Sequence, residues 1–83
     1  MELLIAELSK DKFEITVKAN QITKHVVCVT DKMLFNLTKN KISKKELLNF
    51  SFNFLLKRET NTSILSSFDL TVISKYFPEY IKD

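Results

Sequence analysis

The segment from Ser43 to Glu59 constrains the fold of this chain more than any other part of the sequence. It opens with Ser43-Lys44-Lys45-Glu46, the spacing of a capping box, in which the serine oxygen accepts a hydrogen bond from a free helix amide and the glutamate reaches back. At the helical period its polar residues form one narrow stripe, made of Glu46, Asn49, Asn53 and Lys57. Nearly every other position is apolar, so the sequence predicts a helix over 43–58 that neighbours must cover on two sides.

A buried strand is the alternative for this segment, because Phe50, Phe52 and Phe54 also alternate. The capping box and the length of the apolar pattern favour the helix. A sheet can cover one side of it and the C-terminal helices the other, and a second copy of the chain is the remaining candidate. Phe52, inside the apolar arc, is therefore a candidate for a structural or an interaction contact.

The first third of the chain has the period of β-strands. Apolar and polar residues alternate from Phe13 to Val17, which predicts a half-buried strand. The β-branched run from Lys24 to Val29 predicts another. Residues 3–8 fit either a helical turn or a strand, and we favour the strand because two strands alone make a marginal sheet. The prediction is a three-stranded antiparallel meander with strands near 3–8, 12–18 and 24–29.

Helices are expected after the meander. Three side chains are placed to cap free backbone amides at helix starts: Thr30, Ser43 and Asp69. Pro78 ends the last helix, because the residue before a proline avoids the helical conformation. The expected helices lie near 31–38, 43–58, 63–67 and 70–77. The expected fold class is α+β, a single domain over 1–83 with a β-rich part (1–29) and a helical part (30–83) of three to four helices packed on one sheet face.

The chain has no glycine, which excludes whole classes of binding site. Phosphate-binding loops need glycine so that the backbone can approach the anion closely, so neither a dinucleotide fingerprint nor a P-loop is present. Turns that need a positive φ must use Asn or Asp instead. Asp11, Asn20 and Asn40 are placed for that role.

Residues for catalysis or metal binding are scarce. The one Cys (Cys28) and the one His (His25) cannot assemble a four-ligand zinc site. Residues three apart on a strand point to opposite faces, so these two side chains do not converge. The serines lack a strained elbow and no carboxylate pair at catalytic spacing is evident. We therefore expect no enzyme, no cofactor and no metal.

Net charge is +3 and the pI is about 9.1, which invites a nucleic-acid interpretation. Arg58 is the only arginine among thirteen basic residues, whereas base and phosphate recognition favours arginine. The lysines are scattered along the chain, which is typical of a solvated surface. Nucleic-acid binding stays the alternative function, and it requires clustering of Lys10, Lys12, Lys18 and Lys24 on one exposed face.

The expected location is the cytoplasm. A single cysteine cannot form an intrachain disulfide, which fits a reducing compartment. The first residues carry acids where a secretory signal needs bases, and the longest uncharged stretches are too short to span a membrane. No membrane partner is expected.

Arg58 and the C-terminal aromatic residues are the most informative candidate sites. Arg58 falls in the apolar arc of its helix and needs a carboxylate, from Glu59, Asp69 or Glu79. The structural interpretation is an ion pair that connects the helix to the C-terminal segment, and the functional interpretation is anion binding. Three aromatics flank the proline near the end of the sequence, and we expect them to close the core or to dock a partner: Tyr76, Phe77 and Tyr80.

Several groups of residues in the second half share a spacing with known sequences: Ser63-Ile64-Leu65, Phe68-Asp69-Leu70, Val72-Ile73 and Tyr76-Phe77-Pro78-Glu79-Tyr80. In these residues the chain resembles a family of short, uncharacterised bacterial proteins that end in an SIL…FDL…VI…YFPEY segment after a β-rich part. The resemblance covers roughly the last 40 residues, the N-terminal half matching only loosely. It implies a stand-alone bacterial cytoplasmic protein and supplies no activity.

Taken with the apolar arc, these patterns favour a non-enzymatic protein-interaction module. The expected partner is a protein, either a second copy of this chain or another protein. The contact surface would be the Phe-rich helix or the aromatic C-terminal segment.

Overall fold

A computed structural model describes residues 2–80 and has an α+β fold, as predicted. Along the chain the elements are β1 (Glu2–Glu7), β2 (Lys12–Lys18), β3 (Ile22–Cys28), α1 (Asp31–Thr38), α2 (Lys44–Leu56), a 3₁₀-helix (Asn61–Ser63), β4 (Ser67–Asp69) and α3 (Thr71–Tyr76). The sheet has the strand order β1-β2-β3-β4. The described residues form three α-helices, and the sequence predicted three to four.

The first three strands form the predicted antiparallel meander. Residues 3–8, which also fitted a helical turn, belong mostly to β1, whose Ile5 lies opposite Ile15 of β2. Ile15 in turn lies opposite His25 of β3. This register places the odd-numbered residues of all three strands on one face of the sheet, which is the more buried face.

The predicted helix at 63–67 is wrong, and a fourth strand was missed. The chain makes a short 3₁₀-helix at Asn61–Ser63 and then runs parallel to β3 as β4. Val26 N–H donates to the Ser66 carbonyl at 2.9 Å, and Leu70 N–H donates to the Cys28 carbonyl at 3.3 Å. The outer backbone groups of β3 need hydrogen-bond partners, and this distant segment supplies them.

Side-chain caps begin the two longer helices where the sequence placed them. Met33 N–H donates to Thr30 Oγ1 at 3.1 Å, which caps α1. The capping box of α2 is complete, with Glu46 N–H to Ser43 Oγ at 3.1 Å and Ser43 N–H to Glu46 Oε1 at 2.9 Å. α2 ends at Leu56, two residues before the predicted end.

Asp69 ends β4 and lies just before α3. Its Oδ1 accepts a hydrogen bond from the Thr71 backbone N–H at 2.9 Å and another from the Thr71 hydroxyl. The carboxylate therefore accepts from the first amide of the last helix. The N-cap residue is Leu70 and not Asp69 as predicted, and α3 begins one residue later than expected.

Two residues take the left-handed conformation that glycine usually adopts. They are Lys39 (φ 56°), at the C-terminus of α1, and Asn40 (φ 62°). The prediction for Asn40 is confirmed, whereas those for Asp11 and Asn20 are wrong. Lys39 was missed because the tight exit from α1, closed by Lys39 N–H to the Phe35 carbonyl at 2.8 Å, cannot be read from residue type.

The core lies between one face of the sheet and the helices. The largest fully buried apolar side chains come from β2, α2 and the start of α3: Phe52, Ile15, Leu47, Leu48 and Leu70. The other face of the sheet carries no helix among residues 2–80 and exposes mixed polar and apolar side chains. The apolar arc of α2 is therefore covered within one chain, except at Phe50, which is 47% exposed.

Candidate functional site

An apolar groove of about 410 Å³ lies beside the C-terminal end of α2. The chain after α2, β4 and α3 form its walls. Its apolar lining includes Leu55, Ile64, Leu65, Phe68, Ile73 and Phe77. Its lining is mainly apolar, which suits a ligand or a partner segment with apolar groups.

The edge of the groove exposes both apolar and polar groups. Leu65 is 52% exposed and Tyr76 is 70% exposed, and both adjoin the apolar lining of the groove. Glu59 and Ser63 are the other polar residues of the lining. Ser63 Oγ lies 3.3 Å from Thr60 Oγ1, so its hydroxyl already has a partner.

A buried polar network fixes the wall of the groove to the sheet. Asn61 Nδ2 donates to the Gln21 carbonyl at 2.9 Å and to Thr23 Oγ1 at 3.0 Å. The Thr23 hydroxyl lies 2.8 Å from His25 Nε2, and His25 Nδ1 lies 2.7 Å from the Leu65 carbonyl. Each end of the 61–65 segment is thereby hydrogen-bonded to the β3 side of the sheet.

His25 occupies an inward-facing position and is only 2% exposed. Because a carbonyl oxygen can only accept, Nδ1 carries the proton that binds the Leu65 carbonyl, and Nε2 accepts from Thr23. The ring also packs against Phe52, with centroids 5.5 Å apart. The sequence contained one signal for this network, since a histidine on the apolar face of a strand needs buried partners, but it could not identify Asn61.

The C-terminal aromatic residues divide between the core and the groove. Tyr80 is 4% exposed, and its hydroxyl hydrogen-bonds the buried Ser51 hydroxyl, which itself donates to the Leu47 carbonyl at 2.7 Å. Burial raises the pKa of Tyr80 to about 12, although the hydrogen bond to Ser51 acts in the opposite direction. Phe77 is half-buried and lines the groove, and Tyr76 forms part of its edge.

Arg58 lies just beyond α2 and binds the C-terminal segment. Its Nε donates to Glu79 Oε2 at 3.2 Å, and its Nη1 donates to the Phe54 carbonyl at 2.9 Å. The guanidinium also stacks on the Phe54 ring, 3.7 Å from the centroid. Of the three carboxylates considered, Glu79 is the partner, and this arrangement fits the structural interpretation of Arg58.

A second ionic cluster joins three elements on the far side of the molecule. Lys44 Nζ lies 2.9 Å from Asp31 Oδ1 and 3.0 Å from Asp11 Oδ1, and Lys10 Nζ lies 3.2 Å from Asp31 Oδ2. Hydrogen bonds from Lys44 and Lys10 lower the pKa of Asp31. Burial acts to lower the pKa of Lys44, but its hydrogen bonds to Asp31 and Asp11 outweigh burial and leave the pKa raised.

The remaining sequence candidates do not form a chemical site. Phe52 is fully buried in the core. Cys28 lies on the face of the sheet opposite His25, so the two do not meet. Among residues 2–80 no three side chains of His, Cys, Asp or Glu are grouped so that they could hold a metal ion.

Lysines on the open face of the sheet alternate with acids. Strand alternation places Lys12, Lys18 and Lys24 on this face, but Glu2 lies directly opposite Lys18, and Glu14 shares the face. Lys10, the fourth lysine considered, is paired with Asp31 instead. The cluster required for nucleic-acid binding is therefore interrupted by opposite charge.

No helix within residues 2–80 has the length and apolar character needed to cross a membrane. Comparisons with protein-family models, with curated proteins and with solved structures give no match for this chain. The resemblance of the C-terminal half to a family of bacterial proteins stays a prediction.

Proposed function

We propose that this protein is a small, cytoplasmic, non-enzymatic interaction module that binds an apolar segment of another protein in the groove. The observation that carries the proposal is the pair of exposed large side chains, Leu65 and Tyr76, at the edge of a groove of about 410 Å³. Grooves of this kind accept the apolar side chains of a helix or an extended peptide. Aromatic residues are enriched among the side chains that dominate binding energy once they are buried by a partner.

The composition of the lining supports a peptide rather than a polar metabolite. Small-molecule sites combine apolar walls with several convergent polar groups. Here the polar side chains are Glu59, Ser63 and Tyr76, and the Ser63 hydroxyl is hydrogen-bonded to Thr60. The groove has the volume of a ligand pocket but not the polar groups that would orient a small ligand.

Glu59 indicates which charge the partner should carry. It is half-exposed in the lining, and the ion pairs of the described residues do not involve it. A carboxylate beside an apolar groove favours a ligand with a basic group near its apolar side chains. We therefore expect the bound segment to combine apolar residues with a Lys or an Arg.

Three synthetic peptides of equal length test this proposal: one apolar with a lysine, one apolar with a glutamate, and one polar. We expect the first to shift the amide resonances of residues 63–77 in a nuclear magnetic resonance titration. Leu65→Ser should greatly weaken binding, because it removes an exposed apolar side chain from the edge of the groove without adding a charge. Glu59→Gln should remove the preference for the lysine peptide over the glutamate peptide.

Phe35→Ser is the matched control, because Phe35 is another exposed apolar side chain (49%) and lies on α1, outside the groove. It should leave peptide binding unchanged. Capture from the native host then identifies the partner, which the wild type and Phe35→Ser should retain and Leu65→Ser should lose. Binding equal in all variants, or recovery of RNA alone, would contradict the proposal.

A further inference from the structure

β1 (Glu2–Glu7) is an open edge of the sheet. Within residues 2–80 no strand pairs with its outer side. Natural edge strands are shielded from other chains by charged side chains, especially Lys, by Pro, by bulges, by inward-pointing charges or by being very short. β1 has six residues without Lys or Pro, and its charges are Glu2 and Glu7 at its two ends, whereas β4 at the other edge has three residues. β1 therefore presents a row of backbone donors and acceptors to a further strand.

Backbone hydrogen bonds fix which residues of β1 face outward. Leu8 N–H donates to the Lys12 carbonyl at 2.8 Å, so the backbone groups of Leu8 point toward β2. Alternate residues of an antiparallel strand direct their backbone groups to the same side. The even-numbered residues of β1 therefore bond to β2, and the backbone groups of Leu3, Ile5 and Glu7 point outward.

We propose that β1 pairs antiparallel with β1 of a second copy of this chain, with Ile5 opposite Ile5. The outward groups are centred on Ile5, so Leu3 of each copy then lies opposite Glu7 of the other. Each such pair exchanges two hydrogen bonds. Shifting the register by two residues in either direction leaves one outward residue of each copy without a partner in β1.

The side chains are compatible with this register. Odd residues pair with odd residues, so the helices of both copies lie on the same side of one continuous sheet. On the open face, Leu4 (43% exposed) lies opposite Ala6 of the second copy, and Leu8 (55% exposed) lies opposite Glu2. No carboxylate lies opposite another carboxylate, so the pairing avoids like-charge repulsion.

This dimer is independent of the proposed function. The groove is walled by β4 and α3, and β4 forms the edge of the sheet opposite β1. Both grooves stay accessible in the dimer. Loss of dimerisation and loss of peptide binding can therefore be measured separately.

Sedimentation velocity of the full chain at micromolar concentration tests the proposal. We expect a mass of two chains. Glu7→Pro removes an outward N–H at an exposed position and leaves the hydrogen bonds to β2 intact, as edge strands allow. Because both copies of the dimer carry the substitution, two such donors are lost, and we expect the dimer affinity to fall about tenfold or more.

Glu7→Gln is the matched control, because it removes the charge and keeps the N–H, and its dimer should resemble that of the wild type. Circular dichroism of Glu7→Pro should show an unchanged fold. A monomeric wild type at this concentration, or a Glu7→Pro dimer as stable as that of the wild type, would overturn the proposal.

Disulfide trapping tests the register in a Cys28→Ser background. Non-hydrogen-bonded antiparallel pairs have Cα atoms about 4.5 Å apart, within disulfide range. A mixture of Leu4→Cys and Ala6→Cys chains should cross-link under mild oxidation, and neither variant should do so alone. Cross-linking of Leu4→Cys alone or Ala6→Cys alone would indicate a shifted register and overturn the one proposed here.

Discussion

Tyr80 connects the C-terminal segment to the middle of α2 through the buried Ser51 hydroxyl. Its ring also contacts Phe50 and Phe54, with centroids 6.1 and 5.3 Å away. Together with Phe77 and Arg58, which also contact Phe54, Tyr80 covers part of the apolar surface of α2. The chain would otherwise expose both a serine hydroxyl and apolar surface at this position.

Alkaline pH should release this contact. The folded-state pKa of Tyr80, about 12, lies above the ordinary value of 10.0, so its stabilisation is complete below pH 10 and is lost as pH rises toward 12. The raised pKa corresponds to a loss of roughly 2–3 kcal/mol in the free energy of unfolding once Tyr80 is ionised. We expect denaturant unfolding to show this decrease in the wild type and a much smaller one in Tyr80→Phe.

Tyr76→Phe provides the spectroscopic control, because it leaves Tyr80 as the only tyrosine of the sequence. The ultraviolet absorbance of phenolate in this variant should appear together with unfolding. Ionisation of Tyr80 well before the loss of helical circular dichroism would contradict the buried hydrogen bond.

Elements differ in how far the sequence could predict them. The starts of α1 and α2 were predicted within a residue, because Thr30, Ser43 and Glu46 act on amides within the next turn. β4 was not predicted, because its three residues carry no strand pattern and form a strand only where β3 offers its edge. The groove was missed for the same reason, since β4 and the network around Asn61 place its walls.

Asn61→Ala should weaken the attachment between the 61–65 segment and the sheet. The substitution removes one donor each from the Gln21 carbonyl and the Thr23 hydroxyl, which keep their hydrogen bonds to Ala19 N–H and His25, so we expect a loss of about 1 kcal/mol. Denaturant unfolding measures this loss, and hydrogen exchange should show faster exchange of the amides at 63–66. Asn20→Ala, at an exposed turn position, is the control, and an equal loss there would contradict the role of Asn61.

At the scale of the whole molecule, the cluster around Lys44 joins the β1–β2 turn, α1 and α2. The pKa of Asp31 is lowered from its ordinary 3.8, so its contribution to stability is complete above that pH and is lost as pH falls through the folded-state pKa. We expect Asp31→Asn to have a lower melting temperature than the wild type at neutral pH. The difference should shrink below about pH 3.8.

Glu7→Gln serves as the control for this titration, because Glu7 is an exposed carboxylate outside the cluster. Its melting temperature should follow that of the wild type across the same pH range. A constant difference between Asp31→Asn and the wild type down to acid pH would show that the ion pairs do not stabilise the fold.

The parallel pairing of β4 with β3 also sets an order of events during folding. Neighbouring strands of the meander close short loops, whereas the pairing of Val26 with Ser67 closes a loop that contains both longer helices, so we expect it to form later. The meander and α2 can therefore assemble first, and the strand that walls the groove docks late. Transient opening of the native protein should begin at this strand. Because the strand forms a wall of the groove, a bound segment should shift the conformations of the groove more readily than those of the rest of the molecule.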